Sequence, residues 1–398
     1  MKILYYTWNE TMAYDIEETL DIEGHDVVKV SYPISSYVAD KGFNDYIVRI
    51  LDKDNFDCIF TMNYIPALAK ISFLRKIKYI AWISDSPNYT TYSEMIHSPY
   101  NYIFHFDKKE VENLRSTGAK NIFHMPLAVN TKRVTKQIET SKIQKNKYKA
   151  DVSFLGSLYS DRDFFDKISG INDYQKGFVD AVIKAQLLFQ GCDLIEEALP
   201  KSFIESVLKL VDFNMDSEIK LSDEKILLDL IRKKATSIER IELLNFIAKK
   251  YQVVLYTGSV DNMLYHVENR GYLDYNTQMP VMFNSSKINL NITLRSIQSG
   301  ISLRALDIMG AGGFLISNWQ PELAECFEEG KEVVMYYDRN DLMSKIEYYL
   351  QNEDERMKIA ENGQKKIIEQ FDYSCAWNSF TLPKPLAAIC RRSLSCSK

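Results

Sequence analysis

The 398 residues hold no apolar run of transmembrane length, and the apolar part of the opening MKILYYTWNE is too short for a secretion signal. No spanning helix is expected and a cytoplasmic location is; peripheral contact with a membrane stays open. Six cysteines are scattered without pairs at metal-ligand or C-x-x-C spacing, which fits a reducing compartment. Cys58, Cys192 and Cys326 read as plain core thiols within regular elements. No excess of positive charge exists either. The net charge is −5, so neither nucleic acid nor an anionic membrane is an expected global partner. What is present is ordinary for a globular protein, 46% apolar and 26% charged, at a length that favours two domains over one.

The chain is organised around Lys287 to Trp319, KINLNITLRSIQSGISLRALDIMGAGGFLISNW. KINLNIT alternates like a half-buried strand. Arg295 to Gly300 is a polar loop, and Ser302 to Met309 is helical with Ser302 as its N-cap. Gly310, Gly312 and Gly313 break the helix, and FLIS is a short buried strand. A helix N-terminus offers unpaired N–H groups and the positive end of a dipole, which suit a phosphate. Asp307, five residues after Ser302, could accept hydrogen bonds from two ribose hydroxyls. The alternative is a βαβ unit whose glycines only turn and pack.

Ahead of this stretch, strands alternate with helices. Lys2 to Thr7, Asp26 to Val30, Cys58 to Asn63, the KYIAWI run and Tyr102 to Phe106 are strands, which predicts a doubly wound α/β domain. Residues after strand ends face the ligand crevice in such sheets, so Trp8, Asn9 and Glu10 are acceptor-side candidates; a plain N-cap region reads equally well. Asp85 closes an apolar strand and could act as a base or orient a hydroxyl, or it could cap the Ser-Pro turn that follows. His105 and His124 each end a strand, with no third ligand at zinc spacing; they are further acceptor-side candidates, and a satisfied core histidine is the alternative for either. Thr131 to Ala150 is lysine-rich and aperiodic, a solvated connection. DVSFLG opens a second domain, with Gly156 and Ser157 at its strand end. Tyr159 to Lys249 carries long helical patterns (Tyr174 to Gln190, Asp193 to Val211, Asp223 to Lys250), a helical insertion that could shape specificity or mediate a homodimer. Tyr251 to Ser259 is a strand ending in Gly258 and Ser259. Asp354 to Phe371 is an amphipathic helix, and the two-proline tail after it is aperiodic.

Two runs carry a family resemblance. SLRALDIMGAGGFLISNWQPELAECFEEGKEVVMYYDRNDLMSKIEYYL resembles the C-terminal domain of the CgeB-like (spore maturation protein) glycosyltransferases, and W-x-x-D-x-P at Trp82 to Pro87 resembles their N-terminal domain. The resemblance implies a GT-B fold, two doubly wound Rossmann-like domains facing across a cleft. It places an acceptor-side domain at 1–130, a linker at 131–150 and a donor domain at 151–353 with its insertion at about 160–249. A helix at 354–380 crosses back to the first domain, and 381–398 is a tail. It implies a glycosyltransferase that moves a sugar from a nucleotide-diphospho-sugar, here a UDP-sugar, to a glycan or protein hydroxyl without metal or other cofactor. No D-x-D signature stands in a suitable place. Carried over residue by residue, Gly300, Ser302 and Leu303 bring N–H groups to the diphosphate, Arg304 brings a cation and Asp307 takes the ribose position, where a Glu is usual. Gly156, Ser157, Gly258 and Ser259 line the donor edge, and Tyr272 begins a loop over the base. Ser299 stands where many retaining GT-B enzymes have a Glu, which leaves the stereochemistry open. Asp85 and Arg304 are the catalytic candidates; Arg162 and Arg240 are weaker basic ones. A nucleotide-sugar 2-epimerase and a catalytically inactive GT-B binding module are the competing functions.

Overall fold

A computed structural model describes residues 1–160, 165–213, 218–259 and 262–381. In its first part, short apolar runs become parallel strands and the segments between them become helices. These are β1 (Lys2–Tyr6), α1 (Ala13–Ile22), β2 (Asp26–Val30), α2 (Lys41–Leu51), β3 (Cys58–Met62), α3 (Pro66–Arg75) and β4 (Lys78–Ile83), followed by β5 (Asn101–His105), α4 (Lys108–Ser116) and β6 (Ile122–His124). The strands pair in the order β2-β1-β3-β4-β5-β6, all parallel. Near-continuous burial of β3 and β4 follows, because helices cover both faces of such a sheet.

The second part runs through α5 (Thr131–Thr140), β7 (Val152–Leu155), α6 (Asp173–Gln186), α7 (Leu194–Ala198), α8 (Lys201–Leu208) and α9 (Asp223–Ala248). It continues with β8 (Val253–Tyr256), β9 (Val267–Asn269), α10 (Met279–Ser285), β10 (Ile288–Asn291), α11 (Leu303–Gly310) and β11 (Leu315–Asn318). Then come α12 (Pro321–Cys326), β12 (Val334–Tyr336), α13 (Arg339–Gln351), α14 (Glu353–Gln370) and α15 (Tyr373–Thr381). Strand order is β12-β11-β10-β7-β8-β9, again parallel. The chain winds from β7 to one side and resumes at β10 on the other. A doubly wound sheet puts its ligand crevice at that switch, outside the carboxyl ends of β7 and β10. In the first sheet the equivalent switch lies between β1 and β3.

The chain divides into two compact units, each built around one of these sheets. Of the described residues, one unit comprises 1–127, 218–222 and 373–381; the other comprises 128–160, 165–213, 223–259 and 262–372. Residues 218–222, expected within the helical insertion, belong to the first unit, where Ile219 bridges Ser93 and the Lys220 N–H donates to the Tyr92 carbonyl at 2.8 Å. α15 is also part of the first unit. It packs on α1, with Trp377 edge-on to Phe60 and Tyr373 edge-on to Trp82. The amphipathic helix α14 before it lies in the second unit, on α11.

Several local expectations change. Residues 131–140, read as aperiodic, form α5, because the Asn130 side chain caps it by accepting from the Arg133 N–H at 2.9 Å. The helix expected over Asp193 to Val211 is two helices, broken where Pro200 lacks an N–H. Cys192 is exposed, in the turn after α6, whereas Cys58 and Cys326 are buried. β10 is fully buried rather than half-buried. Its asparagines survive burial by bonding sideways: Asn289 Nδ2 donates to the Phe283 carbonyl, and Asn291 Nδ2 donates to Ser317 Oγ and Thr293 Oγ1. The tail from 382 onward and Arg162 lie outside the described residues.

Candidate active site

In the second unit, β7 ends into Gly156 and Ser157 and β8 into Thr257, Gly258 and Ser259. Ser259 Oγ accepts from the Leu158 N–H at 3.4 Å, so these two strand-end loops touch. Arg240 of α9 joins the other side of the switch. Its guanidinium donates to the Ser157 carbonyl and, through Nε and Nη2, to the Ile292 carbonyl just past β10. It lies between the rings of Phe154 and Tyr159, at 5.3 and 5.2 Å. Burial pulls its pKa below the ordinary arginine value, with Tyr159 and Glu239 opposing. Arg240 thus ties together the ends of β7 and β10.

The loop between β10 and α11 is held at several points. Arg295 makes a two-pronged pair with Glu239 at 2.8 and 2.6 Å, both side chains nearly buried. The Arg295 N–H donates to Thr236 Oγ1, Ser296 Oγ donates to Asp229, and Gln298 Nε2 donates to Asp193. Ser299 Oγ donates to Glu322 Oε1 at 2.7 Å, while the Ser299 carbonyl accepts from the Glu322 N–H at 3.1 Å. The loop delivers Gly300 to Ser302, and Ser302 caps α11, its Oγ accepting from the Ala305 N–H at 3.4 Å. Ser302 is also tied to Asn291 of β10 at 3.3 Å. The result is a helix N-terminus fixed at the carboxyl edge of β10, one of the two strands that border the switch.

Asp307 is only 3% exposed. Its Oδ1 accepts from the Tyr275 hydroxyl at 3.1 Å and its Oδ2 from Arg304 at 3.2 Å. Arg304 also lies over the Phe283 ring at 5.5 Å, and Arg133 lies over Tyr275 at 5.4 Å. Arg304 and Asp307 are therefore one paired unit on α11 rather than two independent groups. Tyr272 is 77% exposed on the loop after β9, and Leu303 is half-buried in the first turn of α11.

In the first unit the candidates gather at the carboxyl ends of β1, β3, β4, β5 and β6. Asn9 takes a left-handed backbone, φ 65°, and Trp8 Nε1 donates across the switch to the Met62 carbonyl at 3.1 Å. Glu10 does not face solvent as a crevice group would. It is buried, and its carboxylate accepts from the Tyr5 hydroxyl, Thr7 Oγ1 and the Trp8 N–H. It therefore shapes the turn from inside. Asp85 is exposed beyond β4 and accepts from Asn63 Nδ2 at 2.7 Å; Asn63, at φ 58°, also accepts from the Ser84 N–H. His105 is wholly buried and His124, its register partner, half-buried, with Nε2 3.2 Å from the Phe106 carbonyl oxygen. His105 Nδ1 accepts from the Asp107 N–H at 3.1 Å, and burial pushes its pKa down to about 4 against the pull of Asp107. Among the described residues no three His, Cys, Asp or Glu side chains cluster to hold a metal ion.

Sequence reasoning gives Arg240 little weight and does not single out Glu239, Glu322, Asn291 or Tyr275. The signal for Glu322 is local, an acid in the first turn of a proline-started helix. The others are partners across long sequence separations and leave no periodic trace.

Residues 239–380 match the sequence model of a family described as glycosyl transferase-like. Among solved structures, sucrose-phosphate synthase from Thermosynechococcus elongatus aligns with a TM-score of 0.55 at 11% identity, over 96% of this chain and 97% of that one. HepE of Anabaena in complex with UDP-glucose aligns at 0.52 and 11%, over 96% of this chain and 100% of that one. A glycosyltransferase from Rickettsia africae aligns at 0.50 and 13%, over 95% and 96%. The fold is that of the GT-B glycosyltransferases. No curated protein sequence matches the chain. The matched segment takes in β8 to β12 of the second unit and runs on into α15 of the first.

Proposed function

We propose that this chain is a glycosyltransferase of the CgeB-like branch, which moves a sugar from a UDP-sugar to a hydroxyl of a glycan or protein acceptor without a metal. One observation carries the reading. The N-terminus of α11, capped by Ser302 and approached by a loop tied down at residues 295 to 299, stands beside the switch point of a GT-B sheet, within the matched segment. Unpaired N–H groups at that tip, with Arg304 in the same first turn, are suited to the charge that develops on a departing nucleoside diphosphate. HepE, a structural neighbour, is described in complex with UDP-glucose, which makes UDP the first base to test.

In the reaction the acceptor oxygen forms a bond to the anomeric carbon as the bond from that carbon to the diphosphate oxygen breaks. The electron pair leaves with the diphosphate. If the enzyme inverts, Asp85 takes the acceptor proton; if it retains, the leaving phosphate takes it and Asp85 orients the acceptor. Asp307 serves the ribose by sharing its carboxylate between Tyr275, Arg304 and the sugar hydroxyls. The decisive measurement is calorimetry with UDP-, GDP-, TDP- and CMP-sugars on wild type, Ser302→Ala and Arg304→Ala. One nucleotide class binds wild type, and both variants bind it at least about tenfold more weakly, or about 1.4 kcal/mol. Absence of binding by all four classes overturns the donor assignment. Full turnover by Asp85→Asn removes Asp85 from the chemistry.

A further inference from the structure

The second unit has a cavity of about 660 Å³ at the other edge of its sheet, around the amino ends of β7, β8, β10 and β11. That volume falls in the range of small-molecule sites, roughly 300–1,000 Å³. Its charged lining is Lys145, Lys149, Lys287 and Arg356 against Asp151 and Glu353, four cations to two carboxylates.

The carboxylates do not neutralise the cations evenly. Lys287 pairs with Asp151 at 2.7 Å. Lys145 donates to the neutral Asn284 amide oxygen at 2.6 Å, and Lys149 is exposed. Arg356 is 4% exposed, and its Nη1 donates to the Tyr349 carbonyl at 2.6 Å. Its carboxylate partner, Glu353, is 3.4 Å away and 75% exposed, a pair that water screens. Burial lowers the Arg356 pKa, with Glu353 only partly opposing. A buried guanidinium that lacks a close, desolvated counter-charge is costly, and an anion in the cavity would relieve it.

We infer that this cavity binds a phosphate-bearing small molecule, with Arg356 at its floor and Lys145, Lys149 and Lys287 around it. The candidate donor residues lie at the carboxyl ends of the same strands, so this is a second site, and the inference does not rest on the donor assignment. Inorganic phosphate and glucose 6-phosphate, which lack the diphosphate of the donor, are the probes, titrated calorimetrically into the full chain at low salt. Binding of at least one is expected, weakened tenfold or more by Lys145→Glu and by Lys149→Glu and unchanged by Arg304→Ala. Both lysine variants keep the buried arginine, so a loss is not a folding failure if their melting temperatures match wild type. No binding by either probe, binding indifferent to both lysine variants, or binding lost in Arg304→Ala overturns the inference.

Discussion

Ser299 and Glu322 of α12 meet twice, through the serine hydroxyl and through the serine carbonyl, and Ser299 stands directly before the residues that lead into α11. Glu322 is buried, so its carboxylate acts through Ser299 and the loop. A hydrogen bond to a charged group contributes about 1.5–3 kcal/mol. Ser299→Ala and Glu322→Leu are each expected to weaken nucleotide-sugar binding, by less in combination than the two separate losses added together. A double-mutant cycle on calorimetric Kd should give a coupling of about 1 kcal/mol or more. Glu322→Gln should keep most of the affinity, since its amide oxygen still accepts the serine proton. Strict additivity would mean that this contact does not position the loop.

At the scale of elements, α9 is the surprise. Its 26 residues show in the sequence only as part of a long helical pattern, and charged side chains on a helix ordinarily lie on its solvated face. Instead Asp229, Thr236, Glu239 and Arg240 are buried and reach the segment from Ile292 to Ser296, so the helical insertion is a scaffold for the donor loop. Breaking one partner of a buried ion pair strands the other charge and costs about 3–5 kcal/mol, whereas removing both partners costs less. Glu239→Leu should therefore destabilise more than Glu239→Leu with Arg295→Leu, as read by denaturant midpoints, and both should weaken donor binding. Equal stability of the single and double variants would show the pair to be indifferent. This also marks what the sequence made legible. Alternation and glycine stops revealed most of the strands (β9 excepted), the capped helix at Ser302 and the Gly156 and Gly258 strand ends, because those signals are local. The buried polar face of α9, the inward asparagines of β10 and the enclosed Asp307 were not legible, because polarity reads as exposure. Each is buried only because a partner distant in sequence completes its hydrogen bonds. α5 is hidden for a different reason: its cap, Asn130, stands in the sequence, but the lysines that follow mask the helical pattern.

At the scale of the molecule, two compact units with separate sheets should respond to different ligands and different acids. Nucleotide-sugar binding, on the reading proposed, stabilises the second unit by mass action, about 2.7 kcal/mol at a hundredfold excess over Kd. The first unit carries the buried imidazole. With Nδ1 accepting from the Asp107 N–H, the neutral ring of His105 bears its proton on Nε2, and a second proton would meet an N–H. An unfolded histidine titrates near 6.5. Between about pH 6.5 and about 4 the unfolded chain therefore binds a proton that folded His105 refuses. Stability from this group is full above that window and falls as pH drops through it, by at most about 1.4 kcal/mol per pH unit. Unfolding followed by hydrogen exchange should show the first unit weakening from pH 7 to 4.5 more steeply than in His105→Asn, which offers a neutral acceptor to the same N–H. Added UDP-sugar should raise protection in the second unit alone. An acid response in β5 and β6 that is identical in His105→Asn would place the titrating group elsewhere, and protection by UDP-sugar confined to the first unit would move the donor site to the other sheet.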